Sequence, residues 1–122
     1  MSNAPVTCEV RYRIDPSKIE DFKAYAKIWI KLIERHGGTH HGYFIPRERP
    51  TGVGVSFPGV GKDGAGDIAI ALFTFPDDKA YLNYREKVAK DPDSIDANAR
   101  FGAQPPFLSY ERVFLQPLPR RD

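Results

Sequence analysis

Residues 67–75 read Asp-Ile-Ala-Ile-Ala-Leu-Phe-Thr-Phe. In an extended chain Ile68, Ile70 and Leu72 point to one side, and Ala69, Ala71, Phe73 and Phe75 to the other. Both sides are apolar, so a strand built from this stretch must be covered on both faces. The fold turns on what the rest of the chain supplies as cover.

Upstream, residues 6–14 (VTCEVRYRI) alternate as well. Cys8, Val10, Tyr12 and Ile14 share one side; Glu9, Arg11 and Arg13 share the other, which predicts a half-buried strand. Asp15-Pro16 then predicts a helix start, because Asp caps free N–H groups and Pro suits the first helical position. Ile19, Phe22, Ala26, Trp29 and Ile33 follow at helical spacing, widened by Tyr25, Ile28 and Leu32. The predicted helix covers 16–36, with Arg35 and His36 in its last turn and Gly37-Gly38 as its stop. A second strand is predicted over 39–45.

Residues 47–66 hold six glycines and two prolines without lasting periodicity, which predicts a long flexible loop. After the 67–75 strand, Pro76-Asp77-Asp78 opens a second helix with Tyr81, Tyr84 and Val88 as its stripe. Asp91-Pro92 ends it. A short further helix over 94–103, a last strand over 107–115 and a loose tail over 117–122 complete the chain. The order is β-α-β-β-α-β with one extra helix. The predicted class is α+β: a single ferredoxin-like domain over 1–122, with a four-stranded antiparallel sheet and its helices on one face.

Helices on one face leave the other bare, and the 67–75 strand is apolar there too. No spare element remains, so a second copy of the chain is the expected cover, giving a homodimer with face-to-face sheets or a shared barrel. Glu9, Arg11 and Arg13 would then lie in the covered space, the two arginines either salt-bridged, for example to Glu9 and Glu111, or holding an anionic ligand.

Composition narrows the function classes. The net charge of +2 is spread among acids, which argues against nucleic acid as a partner. One cysteine, Cys8, cannot form an internal disulfide, which fits a reducing compartment. No apolar run approaches the ~20 residues needed to span a bilayer, and residues 1–5 carry no apolar signal core. A cytoplasmic protein without membrane contact is expected.

Four ordered blocks carry a resemblance: VRYRIDPSKIEDFKAYAKIWIKLIERHGG (10–38), HHGYFIP (40–46), GDIAIALFTFPDDKAYLNYREKVAKDPD (66–93) and FLSYERVFLQPL (107–118). Together they resemble the NIPSNAP family of the dimeric α+β barrel superfamily, over about residues 7–118. The resemblance implies a ferredoxin-like protomer and a barrel-forming dimer. It carries no catalytic motif across, and the 47–66 loop is longer than the family's usual link. Superfamily cousins include cofactor-independent monooxygenases, heme-degrading enzymes and chlorite-dismutase-like proteins, so fold alone does not decide function.

All three histidines fall within residues 36–41. His40 and His41 are neighbours on a predicted strand, point to opposite faces and cannot chelate one metal, so no metal site is expected. His36 reads as a helix-end residue and Cys8 as buried and inert. By alternation His41 shares a face with Tyr43, and an imidazole beside a phenol is a candidate site for a small phenolic or enolic molecule. Arg11, Arg13, His41 and Tyr43 are the candidate ligand-binding residues, and His41 and Tyr43 the candidate catalytic pair. The Gly59–Gly64 match to G-x-G-x-x-G lacks the preceding strand and following helix of a dinucleotide site. No cofactor is expected. The readings are a dimer binding a small molecule or a protein in or beside the inter-sheet cavity, a cofactor-independent monooxygenase or isomerase, or a heme-binding relative with a histidine ligand.

Overall fold

A computed structural model describes residues 3–120. Strands β1 (Val6–Arg13), β2 (Thr39–Phe44), β3 (Ile68–Phe75) and β4 (Ser109–Leu115) form one antiparallel sheet in the order β2-β3-β1-β4. Helices α1 (Ile19–Arg35), α2 (Asp78–Val88) and α3 (Pro92–Phe101) lie on one side. This is the α+β ferredoxin-like arrangement expected from the element order.

The helix boundaries follow from their caps. Asp15 accepts the Ser17 N–H at 3.0 Å, while the Lys18 N–H reaches the Asp15 carbonyl at 2.8 Å. That tight bonding makes Pro16–Lys18 a 3-10 turn, so the regular helix begins at Ile19 and not at residue 16. Asp77 caps α2 through the Ala80 N–H at 2.8 Å. Asp91 caps α3 through the Asp93 N–H at 2.9 Å, and Pro92 becomes the first helical residue. The Asp-Pro pair thus ends α2 and starts α3, two residues ahead of the predicted start.

The core lies between helices and sheet. Cys8, Val10, Tyr12 and Ile14 meet Ala69, Ala71, Phe73 and Phe75 beneath Phe22, Leu32 and Ile33 of α1 and Tyr84 and Val88 of α2. Phe22 and Phe75 have no exposed surface. Each contributes roughly 2–3 kcal/mol by burial.

No element of the described residues covers the second face. There Ile68, Ile70 and Leu72 of β3 stand half-buried beside the exposed Phe44 and Leu115. The 47–66 loop has no regular structure, but it is pinned: Arg49 pairs with Asp63 at 3.0 Å and donates to the Val53 carbonyl at 3.1 Å. No helix among the described residues is long and apolar enough to cross a membrane.

Candidate functional site

A break in β2 decides which side chains meet. Thr39 stands opposite Thr74 and His40 opposite Phe73, but Gly42, not His41, stands opposite Leu72. His41 is the extra residue of a β-bulge, and Gly42 adopts φ +111°, where a side chain would be strained. The bulge inverts the alternation beyond it. His40 and Tyr43 therefore stack on the helix side, with ring centres 4.9 Å apart and planes at 16°. His41 lies exposed on the open face, its Nε2 2.8 Å from Thr74 Oγ1, which is 2.7 Å from Thr7 Oγ1. The expectation that His41 and Tyr43 share a face is overturned: the sheet runs between them, and they form no pair.

Tyr43 instead joins a cavity of about 330 Å³ between the sheet and the helices. All six tyrosines of the chain line it: Tyr12 of β1, Tyr25 of α1, Tyr43 of β2, Tyr81 and Tyr84 of α2, and Tyr110 of β4. The one tryptophan, Trp29, lines it too. Tyr12 sits at the centre, with ring centres 6.2 Å from Tyr25, 6.4 Å from Tyr43 and 6.1 Å from Tyr110. The helix layer leaves β4 poorly covered, so Tyr110 is 62% exposed and the cavity opens along that strand.

Tyr12, Tyr25, Tyr81 and Tyr84 lie on the apolar stripes expected to face inward, but nothing in local pattern joins them. The available signal was chemical. A purely structural core takes Phe or Leu at such positions, because a buried hydroxyl needs a partner.

The phenols of the cavity act as neutral groups. Burial drives the phenol pKa values of Tyr12, Tyr43 and Tyr84 far up, and that of Tyr25 up as well. The phenols therefore stay protonated at neutral pH and serve as hydrogen-bonding groups. Desolvation pushes the Cys8 thiol up to about 11, against the pull of Arg112 and Arg85. The Trp29 Nε1–H is buried without a partner. His40 Nδ1 accepts the Gly42 N–H at 2.9 Å, which leaves the proton on Nε2. Burial lowers the His40 pKa to about 4, so the ring is neutral at physiological pH.

Comparison with known proteins fits this architecture. The family model described as NIPSNAP matches residues 9–119. The chain belongs to the NIPSNAP family. Among curated proteins, none matches the sequence. Among solved structures, a NIPSNAP family protein from Agrobacterium tumefaciens is 18% identical, with a TM-score of 0.68 over 97% of this chain and 90% of that one. A NIPSNAP-like domain protein from Burkholderia xenovorans is 16% identical, with a TM-score of 0.68 over 99% of this chain and 91% of that one. At these identities the likeness is one of fold.

The remaining candidates of this NIPSNAP domain lie across the sheet from the cavity. Arg11 pairs with Glu9, and more distantly with Glu111 at 3.9 Å. Arg13 pairs with Asp67 at 2.8 Å, a partner that sequence distance concealed. Both guanidiniums are thus neutralised within the protomer. No histidine lines the cavity, so none is placed to ligate a heme iron there. His36 Nε2 instead meets Asp91 at 2.7 Å and ties the end of α1 to the start of α3. Among the described residues, no group of three or more His, Cys, Asp or Glu side chains could hold a metal ion.

Proposed function

We propose that this NIPSNAP protein binds a small aromatic molecule in the tyrosine-lined cavity of each protomer. The observation that carries the reading is the convergence of all six tyrosines and Trp29 on one 330 Å³ space. That volume falls at the small end of ligand pockets, fitting one or two fused rings. Aromatic walls hold such rings by stacking and edge contacts, and the phenols fix their polar substituents. An acid-base role needs a group that titrates near neutral pH, whereas the raised phenols and Cys8 thiol favour recognition. Trp29 is a built-in reporter. Titration with small fused-ring aromatics should change its emission saturably and raise the melting temperature. Absence of both changes across such a set would end the proposal.

The proposal extends to a homodimer joined through the open sheet face. Support comes from the half-buried Ile68, Ile70 and Leu72, the exposed Phe44 and Leu115, and the internal pairing of Arg11 and Arg13. Paired charges cost less to bury than lone ones, so this face suits a second copy better than a water boundary. A cytoplasmic setting belongs to the same proposal, since Cys8 is a free, buried thiol.

A further inference from the structure

We propose that the cavity's ligand is a planar aromatic acid, with its ring among the tyrosines and its anionic group held by Arg85 and Arg112. This rests on the cavity being a ligand site. Two cations line the cavity and no carboxylate does. Arg11, Arg13, Arg35 and Arg49 each find a carboxylate partner, but Arg85 and Arg112 form no ion pair among the described residues. Arg112 is instead propped over the Phe114 ring at 4.9 Å, a contact that positions the guanidinium while leaving its N–H fork free.

The two arginines come from different walls, Arg85 from α2 and Arg112 from the helix-facing side of β4, where it stands in register with Val10. Both line the same cavity, together with Cys8. Both are exposed, which places them where the cavity meets water. A carboxylate there keeps part of its hydration while its ring fills the apolar interior, which limits the desolvation cost.

The test compares naphthoate with its neutral isostere naphthamide, by calorimetry and by Trp29 emission. The expected result is naphthoate tighter by about tenfold or more, as one charge-assisted contact supplies. In the Arg85→Gln/Arg112→Gln double variant the preference should fall to near unity, with naphthoate losing the greater share of its affinity. Both arginines are exposed, so the variant should fold. Equal binding of the two compounds would overturn the acid inference and leave the cavity standing. A naphthoate preference that survives the double variant would overturn the assignment to Arg85 and Arg112. If neither compound produces heat or alters Trp29 emission, the cavity reading fails and the acid inference with it.

Discussion

Replacing Gly42 by Ala tests the bulge on which the site depends. At φ +111° a β-carbon meets nothing within 4 Å, so a steric clash contributes nothing to the cost. What remains is backbone strain of roughly 1–3 kcal/mol, offset by ~0.4–1 kcal/mol from the stiffer unfolded chain. The net loss should be about 1–2 kcal/mol, or roughly 3–8 °C in melting temperature for a chain of this size. Two other glycines calibrate the result. Gly64 has open space and no positive φ, so Gly64→Ala should lie within about 0.5 kcal/mol of wild type. At Gly38 a β-carbon would come within 2.7 Å of Ile33 Cγ2 and 2.8 Å of Phe75 Cζ, so Gly38→Ala should lose about 1–3 kcal/mol by overpacking. Urea unfolding followed by Trp29 emission measures all three. Should Gly42→Ala match wild type while Gly38→Ala does not, Gly42 is not held at positive φ. His41 and Tyr43 would then not be separated by a bulge at Gly42.

Wild type should elute in size-exclusion chromatography at twice the 13.8 kDa of one chain, and Ile70→Glu on the open face should shift it to the monomer position. A wild-type monomer at micromolar concentration would refute the dimer. Cys8, with its pKa pushed to about 11, should react with a disulfide reagent at pH 8 orders of magnitude more slowly than a free thiol, and rapidly once unfolded. His40 titrates near 4 when folded against about 6.5 when unfolded. The unfolded chain therefore binds the extra proton in that window, and stability should fall as pH drops from 6.5 toward 4. The urea midpoint of His40→Phe should depend less on pH over that range; an unchanged slope would refute the assignment. Asp91, held down at about 2 chiefly by its hydrogen bond from His36, should add a separate loss below the usual carboxylate range, from about pH 4 toward 2. His36→Phe should shrink that lower step.

Much of the fold is legible in local pattern because strand alternation, helical stripes and caps act over a few residues. Cys8 to Ile14 and Ile19 to Ile33 each declare their element and inward face without distant help, and residues 67–75 declare a strand. Asp77 announces a helix start in the same way, whereas Asp91-Pro92 reads as the end of α2 and only the structure shows that it also starts α3; the surplus of apolar surface on β3 follows from its composition.

The candidate site was less legible. One inserted residue, His41, inverts the facing of Tyr43, and a period-of-two reading cannot detect an insertion that only pairing with Leu72 and Phe73 reveals. Gly42 inside a strand was the available hint. The Arg13–Asp67 pair spans 54 residues, and the six tyrosines come from five elements. Short-range periodicity and capping chemistry were set by the order of residues. Which phenols and cations share one cavity was decided by strand register and helix packing, since those contacts exist only after the chain has closed on itself.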